Sequence, residues 1–161
     1  MESNDNKLPD RRHPAHWPYI DKLGRPNIIY VTVCSKDRKK IFANDIAYLN
    51  LVSAWKLAGD WLVGKYMIMP DHIHFFCSPS AINISRSLAD WIKYWKSLVS
   101  LKWHKVDERP LWQKEFWDRQ LRKGDSYSRK WEYVNMNPLR HKLIDKNGVW
   151  PYHGELNVFR W

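Results

Sequence analysis

Residues 61–79 read WLVGKYMIMPDHIHFFCSP, two apolar runs rich in β-branched and aromatic side chains, separated only by Pro70 and Asp71. Each run is too short for a typical helix, and a Pro-Asp pair is turn chemistry. The segment therefore predicts an antiparallel strand pair over 61–69 and 72–79. A lone hairpin is marginal in water, so the flanking sequence must supply further strands and helices to cover its faces.

The flanks do so in a regular order. IIYVTVC (28–34) is a third short run of strand formers, ending in the charged turn SKDRKK. Asn44 or Asp45 can cap a helix through IAYLNLVSAWKLAG (46–59), which Gly59 stops. After the hairpin, Asn83 or Ser85 can cap a helix over 84–103, where Ile84, Leu88, Trp91, Ile92, Trp95, Leu98 and Val99 recur at three- and four-residue spacing. A strand near 116–122 follows, then a helix capped by Asp125 or Ser126 and running through Tyr133, and an aromatic tail that packs back on the body. The order βαββαβ plus a helix predicts an α+β, ferredoxin-like (RRM-like) fold: an antiparallel sheet with helices on one side and an added C-terminal helix. Pro9, Pro14, Pro18 and Pro26 mark 1–26 as an N-terminal arm, leaving 27–161 as a single domain.

Charge narrows the partners. Lys and Arg number 27 against 17 Asp and Glu, a formal net charge of +10 over 161 residues. Such an excess attracts polyanions through counterion release, with nucleic acid foremost. Some of the 11 tryptophans are interleaved with basic residues, as in WIKYWK (91–96), and could stack bases, although helix packing accounts for most of them. No apolar run approaches the about 20 residues of a membrane span, and the first residues carry no secretory h-region, so a cytoplasmic protein with no membrane role is expected. Cys34 and Cys77 lie in apolar stretches and read as buried thiols.

Chemistry concentrates on few residues. Strand alternation puts His72 and His74 on one face of the sheet, with Ile73 and Phe75 turned into the helices. Two neutral imidazoles a residue-pair apart can hold a divalent ion, or can simply be hydrogen-bonded in place. Tyr133 and Asn137 are four apart and share a helix face, so a nucleophile and an amide ligand would sit together. The alternatives are a packing tyrosine, and an Asn137 that ends one helix and caps another with Pro138 at its first position. Asp71 and Glu132 adjoin these residues, but side chains adjacent in sequence are expected to point elsewhere. For binding a nucleic acid the candidates are Lys36, Arg38, Lys39, Lys93, Lys96, Arg119, Arg122, Lys123 and Lys130; Lys130 sits one helical turn before Tyr133 and could contact phosphate or ease ionisation of the phenol.

MPDHIHFF (69–76), WQKEFWDRQLR (112–122) and YVNMNPLRHKLI (133–144), with IIYVTVCSKDRKKIF (28–42) before them and PYHGELNVFRW (151–161) after, resemble the REP-associated tyrosine transposases of the HUH single-tyrosine superfamily. The resemblance implies that His72 and His74 ligate Mg2+ or Mn2+, that Asn137 supplies the third ligand and that Tyr133 is the nucleophile. It further implies an RRM-like core, and cleavage and rejoining of single-stranded DNA beside hairpin (palindromic) elements through a 5′-phosphotyrosine, by a monomer or homodimer. The alternative is a non-catalytic hairpin-DNA-binding module on the same fold.

Overall fold

A computed structural model describes residues 19–21, 23–122 and 127–160. Its centre is a five-stranded antiparallel sheet built from β1 (Ile29–Ser35), β2 (Trp61–Ile68), β3 (His72–Pro79), β4 (Trp112–Gln120) and β5 (His153–Glu155), in the order β4-β1-β3-β2-β5. The helices are α1 (Asp45–Leu57), α2 (Leu88–Leu101), α3 (Tyr127–Asn135) and the single turn α4 (Asn137–Arg140). The strand-helix alternation predicted from sequence is present, with the hairpin β2–β3 at its heart and β3 as the central strand. No helix among the described residues is long and apolar enough to cross a membrane.

The two faces of the sheet are occupied differently. Ile29, Val31, Val33, Ile73 and Phe75 point to one face and pack with Leu51 and Trp55 of α1 and Trp91, Trp95 and Val99 of α2. Trp91 and Trp95 meet Phe75 edge-on, each at 5.9 Å between ring centroids, a favoured geometry for aromatic pairs. Trp55, Trp61, Trp91, Trp95 and Trp103 are all buried, so these tryptophans build the core rather than a base-stacking surface. Both cysteines are buried and free.

Helices α1 and α2 thus share one side, while α3 crosses to the other. Val134 of α3 packs on Met67 and Met69, and Tyr127 on Phe76, with Trp131, Trp150 and Phe159 filling in around them. The face bearing the histidines is therefore partly roofed, not open.

Element boundaries shift for local reasons. Asn44 caps α1 as expected, its side chain accepting from the Ala47 amide at 2.9 Å. α2 starts later than expected, at Ser87, whose hydroxyl accepts from the Asp90 amide at 3.1 Å and donates to the Asp90 carboxylate at 2.9 Å. β4 begins at Trp112 because its ladder with β1 reaches Ser35, past a bulge after Val33. The tail adds a strand absent from the predicted order: β5 pairs with β2, setting Gly154 opposite Tyr66. At the other end Tyr19 is buried against Trp61, whereas the arm before it and the expected α3 caps Asp125 and Ser126 lie outside the described residues.

Candidate active site

The site is laid out by the register of the sheet. Residues directly opposite in antiparallel strands share a face, so one row across the sheet runs Trp117, Thr32, His74, Met67, His153. A neighbouring row holds Arg119, Tyr30 and Phe76, and Cys34 lies opposite His72. The rings of His72 and His74 are 4.7 Å apart and nearly perpendicular.

Both imidazoles are held by the same nitrogen. The Nδ1 of His72 lies 2.7 Å from Oδ1 of Asp71, and the other Asp71 oxygen accepts from Arg38 Nε at 2.9 Å. Arg38 reaches this position from a turn in which both Asp37 and Arg38 adopt positive φ, and its Nη1 also meets Cys34 Sγ at 3.2 Å. The Nδ1 of His74 lies 2.8 Å from both Tyr30 Oη and Thr32 Oγ1. Among the described residues neither Nε2 has a hydrogen-bond partner.

Electrostatics keep the groups in usable states. Burial foremost, then His72, Lys130, Arg140 and His141, hold His74 well below its ordinary pKa, leaving a neutral imidazole. Burial raises the Asp71 carboxyl, but the hydrogen bond and charge of His72 and then those of Arg38 outweigh it, and the group sits well below the usual carboxylate range. Burial pushes Tyr30 up to about 12 against the lowering effect of the Thr32 hydroxyl, so Tyr30 remains a protonated phenol.

Tyr133 stands above this face, 61% exposed, on α3. Arg140 Cζ lies 3.9 Å from its ring centroid and Lys130 Nζ 5.7 Å away, with Lys130 also 4.7 Å from the ring centroid of Tyr30. Tyr30 in turn stacks on His74 at 5.7 Å, which links the phenol side of the site to the histidine side. α3 ends at Asn135, and α4 follows with Met136 as its N-cap, Asn137 as its first residue and Pro138 as its second, so the helix does break before Pro138 but Asn137 neither ends α3 nor caps α4 as the alternative expected. The side chain of Asn137 is buried even so, and its Oδ1 accepts from Arg140 Nη2.

A divalent ion fits this donor set. Each histidine presents an Nε2 lone pair when its Nδ1 carries the proton toward Asp71 or toward the hydroxyls, the arrangement that second-shell partners enforce around metal-binding imidazoles. Among the described residues no three His, Cys, Asp or Glu side chains are placed to hold one ion, so a third protein donor would be an oxygen such as the Asn137 amide.

Of the predicted basic contacts, the structure gathers some and disperses others. Arg119 is exposed beside Tyr30 in the sheet register, Arg122 is exposed just beyond β4, and Lys130 lies over the two tyrosines. Lys36 is exposed in the turn after β1, and Lys39 sits near the Glu108 carbonyl at 3.5 Å. Arg38 is a partner of Asp71 rather than a loose loop charge. Lys93 lies on α2, across the sheet from the histidines, and Lys123 falls outside the described residues. Lys96 is corrected outright: it is buried, with Nζ donating to the Gln113 carbonyl at 3.1 Å, because it falls within the apolar stripe of α2.

Sequence reasoning also missed several neighbours, among them Thr32 beside His74 and Arg140 beside Tyr133. Asp71 belongs to the turn and not to the strand, so strand alternation does not carry its side chain away from His72. Tyr30 is placed only by register. His141 follows α4 and brings its ring within 6.1 Å of His72. The run YVNMNPLRH holds Asn137 and His141 one helical turn apart, and that spacing was the available signal.

An antiparallel sheet that presents a His-Ile-His pair beneath a tyrosine-bearing helix has the architecture of the HUH single-tyrosine class. The chain belongs to the IS200-like transposase family, whose sequence model matches residues 27–129, a span that holds both histidines and ends before Tyr133. It is 20% identical over 90 residues to the REP-associated tyrosine transposase of Escherichia coli, covering 56% of this chain and about half, 52%, of that protein. A Haemophilus influenzae relative assigned to the same group is 24% identical over 149 residues, covering 83% of this chain and 82% of the relative. Among solved structures, a REP-associated tyrosine transposase bound to a REP hairpin superposes with a TM-score of 0.62 at 16% identity, covering 88% of this chain and 81% of the other. A transposase-like protein from Deinococcus radiodurans superposes at 0.50 and 12% identity, covering 76% and 95%. At these identities the superpositions establish the shared fold.

Proposed function

We propose that the protein cleaves and rejoins single-stranded DNA next to a hairpin, with Tyr133 as the nucleophile and His72, His74 and Asn137 as the holders of a divalent ion. The observation that carries this reading is the pairing of two imidazoles, each tied back through Nδ1 with Nε2 unpartnered, with an exposed tyrosine flanked by two cations on the same face. The relative solved with a REP hairpin supports hairpin DNA as the substrate class, and the net charge of +10 supports a polyanionic one.

In this reading Arg119, Lys130 and Arg140 hold the backbone of the strand by phosphate contacts. The Tyr133 oxygen gives its proton to solvent and attacks phosphorus, the bond to the 3′ oxygen breaks, and that oxygen leaves as a hydroxyl after taking a proton from solvent. The strand's 5′ phosphate stays on Tyr133 as a phosphodiester, so a second 3′-hydroxyl can reverse the step without an external energy source. Mg2+ or Mn2+, when bound, would polarise a non-bridging oxygen of the scissile phosphate. Asp71 and Arg38 keep His72 oriented, and Tyr30 and Thr32 do the same for His74.

The test is to incubate the protein with labelled single-stranded DNA carrying a hairpin and an unpaired flank, with Mg2+ or Mn2+, and to look for an adduct that survives denaturation. The adduct should form with the wild type and be absent from Tyr133→Phe. An adduct that persists in Tyr133→Phe, or none from the wild type across a library of flanks, refutes the reading.

A further inference from the structure

Among the described residues the Arg140 side chain makes three contacts, all with residues of the candidate site. Its Nη1 donates to the Tyr133 carbonyl at 2.9 Å, its Nη2 donates to Asn137 Oδ1, and its guanidinium carbon stands 3.9 Å from the Tyr133 ring centroid. The backbone explains why it is there. α3 stops at Asn135 and the chain restarts in α4 at Asn137, so carbonyls in the last turn of α3, that of Tyr133 among them, lie beyond regular helical pairing and a side chain can take one of them.

The contact with Asn137 has a chemical cost for the reaction proposed above. The oxygen that would serve a divalent ion is already accepting a charge-assisted hydrogen bond, and the donor is itself a cation. A full positive charge and a divalent ion directed at one amide oxygen repel each other. An incoming phosphodiester changes the balance, because a guanidinium fork binds phosphate oxygens through two N–H groups where the neutral amide offers it one. Arg140 is exposed and rests over the nucleophile's ring, so a phosphate brought to Tyr133 arrives within its reach.

We propose that Arg140 is a transferable cation: in DNA-free protein it holds the Asn137 oxygen, and when DNA binds it moves to the scissile phosphate and releases that oxygen to the divalent ion. This inference rests on the assignment of Tyr133, His72, His74 and Asn137 given above. It makes metal binding and DNA binding mutually reinforcing, and by linkage each must strengthen the other by the same factor. It also gives Arg140 a catalytic role, since after the transfer the guanidinium touches the reacting phosphate and opposes the charge that develops on it.

The experiment measures Mn2+ affinity by electron paramagnetic resonance of the free ion, in a Tyr133→Phe background so that no adduct forms, with and without a single-stranded oligonucleotide carrying a hairpin and an unpaired flank. In the DNA-free state, adding Arg140→Ala should tighten Mn2+ binding by about tenfold, the size of one charge-assisted hydrogen bond removed from the competing side. The parent should gain about tenfold more from the oligonucleotide than the Arg140→Ala protein, which keeps only what the phosphate itself contributes to the ion. Arg140→Gln, which keeps an amide donor without the charge, should also bind the ion more tightly than the parent. In the Tyr133 background, both substitutions should reduce adduct formation although they bind the ion better. Mn2+ affinity that is unchanged or weaker in both variants would make Arg140 a structural prop and overturn the proposal, as would a gain on adding DNA that is equal in the parent and in Arg140→Ala. His72→Ala separates this from failure of the underlying reading: if that protein binds Mn2+ as the parent does, the ion lies elsewhere and the metal assignment itself falls, whatever Arg140 does.

Discussion

Replacing Lys96 by methionine should stabilise the protein at neutral pH and leave its affinity for DNA intact. Lys96 is 8% exposed, its ammonium makes one 3.1 Å hydrogen bond to the Gln113 carbonyl, and it stands 5.7 Å from the ring centroid of Trp112. Burial drives its pKa from 10.5 down to about 8, although Cys34 and Glu115 act to raise it. The unfolded chain keeps this proton up to about pH 10.5, and the folded protein releases it near 8. The unfolded state therefore binds more protons between those values, and stability rises with pH across that window. Below it, the full displacement is a folding cost of about 3 kcal/mol. Methionine fills a similar volume and carries no charge. It removes that cost and forfeits the hydrogen bond, worth about 1–2 kcal/mol, for a net gain of about 1–2 kcal/mol at pH 7. In a chain of this size that is a rise of a few degrees in Tm, about 2–4 °C per kcal/mol. Urea denaturation of both proteins at pH 7 and pH 10 checks the argument, since most of the advantage should vanish at the higher pH. A Lys96→Met protein less stable at pH 7, or a difference independent of pH, refutes it. A salt dependence of DNA binding that becomes shallower by one charge would return Lys96 to the DNA surface.

Asp71→Asn should weaken Mn2+ binding by about 10- to 100-fold, since it removes the carboxylate that orients His72 and pairs with Arg38; calorimetric titration of both proteins checks this, and an unchanged affinity would show that His72 needs no such support. Gly154→Ala should destabilise the fold by about 1–3 kcal/mol in urea, because a Cβ there would stand 2.5 Å from the hydroxyl of Tyr66, a buried ring held by a 2.8 Å hydrogen bond to Tyr48. Arg119→Ala should lower the slope of log affinity for DNA against log salt by about one, whereas Lys93→Ala, across the sheet from the histidines, should leave it unchanged.

Much of the architecture was legible because its signals are local. The Pro70-Asp71 turn between two runs of strand formers marks the hairpin, Asn44 marks a helix start, and the spacing of Trp91, Trp95 and Val99 marks the buried stripe of α2. The face shared by His72 and His74 follows from alternation alone. What escaped depends on distant segments meeting. β5 is three residues long and has no pattern of its own, and only its pairing with β2 makes it a strand. Tyr30 joins the site through register with His74, and Asp71 through a turn geometry that alternation does not describe. Lys96 misled because charge argues for the surface, while its position between Trp95 and Val99 on α2 argues for the core; the stripe prevailed.

The two halves of the candidate site are held by very different amounts of structure. The histidines sit on the central strand of the sheet, tied on both sides by β1 and β2, so that strand should part from its neighbours only on global unfolding. The tyrosine rides on a nine-residue helix whose seat is Val134 on two methionines, Tyr127 on Phe76, and the ring of Trp131. Thioether side chains bend to fill gaps at little cost, so the seat tolerates small displacements of what rests on it. The sheet is thus the bench and α3 the moving arm, and amide hydrogen exchange should protect β3 to the limit set by global unfolding while α3 exchanges through a cheaper local opening.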